Sequence, residues 1–207
     1  MKIGLFGGSF DPVHLGHLLV AQAAIEELGL DKLSFIPAAQ SPFKPESRPA
    51  PAACRLQWLR LALAGKTDCE IDGQEIRRGG VSYTVDTLRG YRERFSKAEF
   101  FYLIGADHAA KLDKWREAGE LAKLAEFVVI PRPGDSVWSS GFSRSGPPEG
   151  GTPNVIFPKP FRGRTLKGFP FGISSSQIRA RVKAGLPVDH LVPSFVAEAI
   201  QAAGVYA

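Results

Sequence analysis

Cysteine is almost absent from this sequence. Cys54 and Cys69 are its only two among 207 residues. Two thiols cannot build a disulfide framework or a cysteine-rich metal centre, and so sparse a use suits a reducing compartment, the cytoplasm. Long apolar runs are missing too: no stretch reaches the roughly 18 consecutive apolar residues of a membrane-spanning helix, so no membrane partner is expected. The opening Met1-Lys2-Ile3-Gly4 enters a strand pattern at once and lacks the layout of a signal peptide. No segment repeats. The net charge is a modest +5, and the basic residues are scattered rather than blocked. That balance suits an anionic small molecule such as a nucleotide; no recognised nucleic-acid motif is present and no nucleic-acid partner is expected. Several phosphate and nucleophile motifs are absent as well. There is no G-x-x-x-x-G-K-[ST] loop, Gly4, Gly7 and Gly8 do not make G-x-G-x-x-G, and no G-x-S-x-G surrounds Ser9.

What is present is organised around one stretch, Gly7-Gly8-Ser9-Phe10-Asp11-Pro12-Val13-His14-Leu15-Gly16-His17. It follows the run Ile3-Gly4-Leu5-Phe6 and leads into an amphipathic segment ending at Leu28, so it reads as strand, glycine-rich turn, helix. Gly7 and Gly8 have no Cβ and let backbone amides approach a bulky anion. A helix beginning here points its free N–H groups and the positive end of its dipole at the same anion. His14 and His17, three apart, share a helical face, and Gly16 between them keeps that surface low. The result is a phosphate cradle with two imidazoles above it. Two histidines without a third ligand make a weak zinc site, and no metal ligand is assigned.

Strand and helix patterns alternate through the rest of the chain. Residues 2–6 form a first expected strand, and a helix from about Leu15 to Leu28 stops at Gly29. Residues 33–36 form a second strand closed by Pro37. The prolines between 42 and 51 exclude helix and hold Lys44 on an extended loop. Residues 55–64 read as a core helix, with Leu56, Trp58, Leu59, Leu61 and Leu63 at or beside helical spacing. Residues 69–72 read as a short strand, and Ser82 or Thr84 can cap the helix that follows, with Asp86 near its positive end. Residues 99–104 are strongly β-prone. Gly105 and Asp107 follow at a strand end, where open α/β sheets place ligand contacts, although Asp107 also fits a helix cap. Residues 126–130 form another strand, with Arg132 at its end, where a phosphate could bind.

The stretch 135–167 is rich in Gly, Pro and Ser and reads as a lid or mobile insertion, with strand candidates at 155–157 and 166–171. Ile173-Ser174-Ser175-Ser176-Gln177-Ile178-Arg179 then places three hydroxyls at a helix start and an arginine one turn in. That is an anion site, or a serine-capped surface helix. The alternation predicts right-handed βαβ units in an α/β fold, with residues 1–207 making a single Rossmann-like domain that has a central mostly parallel sheet and helices on both faces.

The string G-G-S-F-D-P-V-H-x-G-H resembles the signature of the nucleotidyltransferase superfamily with the H-x-G-H motif, and within it that of the bacterial nicotinate-nucleotide adenylyltransferases. The resemblance covers nearly the whole chain except 135–167. It implies transfer of the adenylyl group of ATP to nicotinate mononucleotide, giving deamido dinucleotide and pyrophosphate. It implies four catalytic residues: His14 and His17 as donors to the α- and β-phosphates, and Lys44 and Arg179 as holders of the leaving pyrophosphate. On the ATP side it adds Gly7, Gly8, Ser9, Phe10, Gly105, Asp107 (on the ribose and base), Ile173, Ser174, Ser175 and Ser176. On the mononucleotide side it places Gly8, Ser9, His14, Lys44 and Arg132, with Tyr83 and Thr84 along the pyridine ring and Trp115 stacked on it. Two positions depart from the family pattern. Phe43 stands where a histidine is usual, which removes a donor, and Ser176 replaces a threonine, which keeps the hydroxyl.

Mg²⁺ is expected to bridge ATP phosphates and to keep mostly water ligands, so no carboxylate cage is required. Two other readings stay open. One keeps the fold and chemistry with another phosphate acceptor, such as nicotinamide mononucleotide or both pyridine nucleotides. The other is a non-catalytic nucleotide-binding protein. A homo-oligomer is also left open.

Overall fold

The computed structural model describes residues 1–43, 46, 48–131, 155–169 and 172–206. Along the chain it runs β1 (Lys2–Gly8), α1 (Leu15–Leu28), β2 (Lys32–Pro37), α2 (Ala52–Ala62), β3 (Cys69–Ile71), α3 (Gln74–Arg78), α4 (Thr84–Arg94) and β4 (Glu99–Gly105). It continues with α5 (Ala106–Ala109), a 3₁₀ turn (Leu112–Lys114), α6 (Ala118–Leu124), β5 (Glu126–Ile130), β6 (Gly163–Thr165), α7 (Ser175–Lys183) and α8 (Ser194–Ala203).

The strands make one all-parallel sheet in the order β3-β2-β1-β4-β5-β6. Strands covered on both faces read as continuous apolar runs, and β1 is such a strand. Its Ile3 and Leu5 enter one core with Tyr102, Phe127 and Val129, while Phe6 enters the other with Phe35, Leu103 and Val128. The first core is closed by α4 and α6 through Val85, Leu88, Tyr91 and Leu121. The second is closed by α1, α2, α7 and α8 through Ala24, Trp58, Ile178 and Val196. The chain is therefore one Rossmann-like α/β domain with helices on both faces, as the alternation predicts. The strand order reverses between β1 and β4, so their carboxyl ends open a crevice at the point where such sheets bind ligands.

Local differences from the sequence reading have physical reasons. Helix α2 starts at Ala52, three residues before the expected 55, because Pro51 sits at its cap with φ −47° and feeds the chain directly into it. Tyr83 caps α4, not Ser82 or Thr84; no side chain closes that end, and the Ser82 hydroxyl instead accepts the Ala39 N–H at 3.0 Å. Residues 155–157 and 166–169 are not strands. The sheet's last strand is Gly163–Thr165, within the stretch read as lid or insertion. Its sequence, Gly-Arg-Thr, carries no apolar pattern, and Gly163 is there because a Cβ would collide with the Phe157 ring. The expectations for residues 135–154 lie outside the described residues. Among the described residues no helix is long and apolar enough to cross a membrane.

Candidate active site

The glycine-rich turn leaves β1 at the crevice. Gly7 permits a close approach, since a Cβ there would run into the Tyr102 hydroxyl on β4. The turn bends sharply at Phe10, whose φ of +46° is unusual for a side chain of that size. Its ring is fully buried and meets Phe6 at 5.4 Å, Phe35 at 5.5 Å and the His17 ring at 5.0 Å. That packing holds the strained residue in place and brings the chain to His14, the N-cap of α1.

His14 and His17 lie ring on ring, with centroids 3.7 Å apart. His17 Nδ1 accepts the His14 N–H at 3.2 Å. In a neutral ring this leaves the proton on His17 Nε2, which makes that nitrogen a hydrogen-bond donor. The reciprocal contact, from the His17 N–H to the His14 ring, falls short of a hydrogen bond, and His14 Nδ1 is buried without a partner. Burial also pulls the His14 pKa down from 6.5 to about 4, so its ring is neutral near pH 7. Gly16 fits tightly beneath: a Cβ there would stand 3.0 Å from the His14 ring and 3.6 Å from the Ile173 carbonyl.

That carbonyl belongs to the second helix start. Ser174 caps α7 in a reciprocal pair, with the Gln177 N–H donating to Ser174 Oγ at 3.3 Å and the Ser174 N–H donating to Gln177 Oε1 at 2.9 Å. This is the S-x-x-Q capping box that the sequence contains. The next residues tie α7 to the turn: Ser175 Oγ donates to the Pro12 carbonyl at 2.9 Å, and Arg179 Nη1 donates to the Asp11 carbonyl at 2.7 Å. Arg179 Nη2 donates to Ser176 Oγ at 3.1 Å. Two helix N-termini, two imidazoles and a guanidinium thus converge on the Asp11–His17 part of the turn, which follows Gly8 and the exposed Ser9.

A second wall faces this one. Phe6 pairs with Leu103 across β1 and β4, so Gly105 ends at the same sheet edge as Gly8. Asp107 is on the first turn of α5 with its side chain more than half exposed, 3.7 Å from the His108 ring. Thr84 Oγ1 donates to the Tyr102 hydroxyl at 3.4 Å, and Arg116 lies 4.6 Å over the Tyr83 ring. Trp115 is half-buried against Tyr102 and Phe127, and its indole N–H is buried without a partner. Phe43 covers this corner, 5.4 Å from Trp115 and 4.7 Å from His108. Lys44 and Arg132 lie outside the described residues.

Three residues that hold the site were not picked out in the sequence. Arg55 is fully buried beneath the turn and donates to the carbonyls of Ser9 (2.9 Å), Ala38 (2.8 Å) and Ala50 (2.9 Å). Burial lowers its pKa and the neighbouring Asp11 opposes that shift. Asp11 Oδ1 accepts the Ala50 N–H at 2.9 Å and the Tyr206 hydroxyl at 2.5 Å, while Oδ2 lies 3.6 Å from Arg179. The signal for Arg55 is its position: with Trp58, Leu59 and Ala62 it completes the buried stripe of α2 at i, i+3, i+4 and i+7. An arginine on such a stripe must find internal acceptors. Tyr206 had no comparable mark.

Among the described residues no three His, Cys, Asp or Glu side chains gather as a metal-binding group. Asp11, the carboxylate of the turn, has its oxygens directed at Ala50, Tyr206 and Arg179.

A sequence model described as cytidylyltransferase-like matches residues 5–181. A probable nicotinate-nucleotide adenylyltransferase of Opitutus terrae is 39% identical over 193 residues, covering 93% of this chain and 91% of that protein. One from Rhodopirellula baltica is 38% identical over 99% of this chain and 92% of its own length. Among solved structures, the Plasmodium falciparum nicotinic acid mononucleotide adenylyltransferase complexed with NaAD shares the fold, with a TM-score of 0.74 at 18% identity over 99% of this chain and 97% of that one. With its H-x-G-H turn seated between two helix starts at the switch point of the sheet, this chain belongs to the cytidylyltransferase-like family and, within it, to the nicotinate-nucleotide adenylyltransferases.

Proposed function

We propose that the protein joins ATP and nicotinate mononucleotide into nicotinate adenine dinucleotide and pyrophosphate, a step of NAD biosynthesis. The observation that carries this reading is the convergence of the α1 and α7 N-termini with His14, His17 and Arg179 on one edge of the sheet. The attacking phosphate oxygen of the mononucleotide already bears negative charge, so the reaction needs no general base and no protein nucleophile. What it needs is two anions held in line, with donors where charge grows on the α-phosphate and the leaving pyrophosphate. Positioning of this kind is worth up to about 7–11 kcal/mol, and each well-aimed donor about 10²–10³ in rate.

His17, through its Nε2–H, and His14 donate to the α- and β-phosphates. Arg179, with the Ser174–Ser176 turn and Lys44, holds the pyrophosphate. Gly7, Gly8, Ser9 and Phe10 shape the cradle, Gly105 and Asp107 take the adenosine, and Ile173 borders it. Tyr83, Thr84 and Trp115 form the pyridine wall, and Arg132 meets the mononucleotide's phosphate. Mg²⁺ enters with ATP as part of the substrate and neutralises phosphate charge.

Formation of the deamido dinucleotide, identified by mass when protein, Mg-ATP and nicotinate mononucleotide are combined, tests the activity. ATP made chiral at the α-phosphorus tests the route. Inversion fits one in-line displacement, and retention would show a covalent protein intermediate.

A further inference from the structure

We infer that Tyr206 is a positioning residue for ATP, acting through Asp11 to keep Arg179 available to the phosphates; this rests on the assignment of Arg179 to the pyrophosphate. The Tyr206 ring packs 5.8 Å from Trp58, and its hydroxyl donates to Asp11 Oδ1 at 2.5 Å. Asp11 is buried in the turn between the glycines and His14. Among the described residues it is the one carboxylate paired with Arg179, and Arg179 holds the Asp11 carbonyl at 2.7 Å but stands 3.6 Å from Oδ2. A guanidinium has a fixed fork of donors, and a bidentate grip on a carboxylate competes directly with a grip on phosphate.

Two donors restrain Asp11 from making that grip. The Ala50 N–H and the Tyr206 hydroxyl both hold Oδ1, while it is the other oxygen, Oδ2, that stands 3.6 Å from Arg179. Arg55, beneath them, fixes Ala50 through its carbonyl at 2.9 Å. Burial and the contact with Asp11 push the Tyr206 pKa up, so the hydroxyl carries its proton and donates near neutral pH. Without that hydroxyl, Oδ1 keeps one donor and the carboxylate can turn towards Arg179. The guanidinium is then drawn down onto the turn and out of the phosphate site. The consequence falls on ATP and not on the pyridine wall, which is built from α4 and the segment around Trp115.

Tyr206→Phe is the direct variant, because it keeps the ring against Trp58 and removes only the O–H. ATP binding by titration calorimetry and steady-state kinetics with Mg-ATP and nicotinate mononucleotide are the readouts. The expected result is ATP affinity and kcat/KM for ATP down about tenfold, KM for the mononucleotide within about twofold of wild type, and a melting temperature within a few degrees. In an Arg179→Lys background, where the competing fork is gone, Tyr206→Phe should change ATP binding by less than about twofold. Unchanged ATP affinity in Tyr206→Phe, equal losses for both substrates, or a full additional loss in the Arg179→Lys background would each overturn the inference. Wild-type protein that forms no dinucleotide would overturn the reading of function instead, so the two failures are distinct.

Discussion

His17 Nδ1 accepts the His14 N–H at 3.2 Å, and the two rings stack with centroids 3.7 Å apart. One imidazole is thus oriented by the backbone of the other. The arrangement fixes the His17 tautomer, with its proton on Nε2, at the mouth of the cradle. His17→Ala should lower turnover by about 10²-fold or more, the usual cost of a lost transition-state donor, with the fold intact by circular dichroism. Near-wild-type turnover in a folded variant would remove His17 from the chemistry.

His14 makes a prediction about pH and stability. Its folded pKa, about 4, lies below the 6.5 of an exposed histidine. The unfolded chain therefore takes up this proton first as pH falls. The contribution of neutral His14 is complete above about pH 6.5 and is lost progressively towards pH 4, on the order of 3 kcal/mol in all. Urea unfolding of wild type and His14→Asn across this range should show a stability difference that shrinks as pH falls. A difference constant from pH 7 to pH 4 would contradict it.

Trp115 should matter for one substrate. Its ring faces the corner built by Tyr102, His108 and Phe43. Stacking of an aromatic ring on a base is worth about 1–3 kcal/mol. Trp115→Ala should raise KM for nicotinate mononucleotide about tenfold or more and leave KM for ATP within about twofold. A defect confined to ATP would sink the stacking role.

Arg55 should matter for stability first. Arg55→Met leaves the carbonyls of Ser9, Ala38 and Ala50 without this donor and also removes a positive charge beside the buried Asp11. A buried carbonyl left unpaired costs about 1–3 kcal/mol; the Ala50 bond is buried and the other two are partly buried, so a loss of about 2 kcal/mol or more in denaturant unfolding is expected. A loss below about 1 kcal/mol would show that water or a rearranged loop replaces it.

The order of these residues along the chain explains what the sequence revealed. The turn from Gly7 to His17 and the Ser174–Arg179 block are contiguous, so their anion-binding character is written locally. Parallel strands buried on both faces show as apolar runs, which made β1, β2, β4 and β5 readable. Edge strand β6 buries too little to leave a pattern, and its Gly-Arg-Thr could not be told from loop. The network beneath the site was hidden for another reason. Asp11, Arg55 and Tyr206 are brought together from positions up to 195 residues apart, and no local period records such a meeting. Arg55 alone left a trace, a charge on an apolar stripe. Tyr83 caps α4 where Ser82 or Thr84 is expected: the Ser82 hydroxyl is engaged by Ala39 and the Thr84 hydroxyl by Tyr102, contacts between separate parts of the chain.

The most direct measurement is Mg²⁺-dependent pyrophosphate release from ATP, with nicotinate and nicotinamide mononucleotides offered side by side. Release with the acid and little with the amide is the predicted result. No release with either nucleotide would contradict adenylyl transfer to a pyridine mononucleotide.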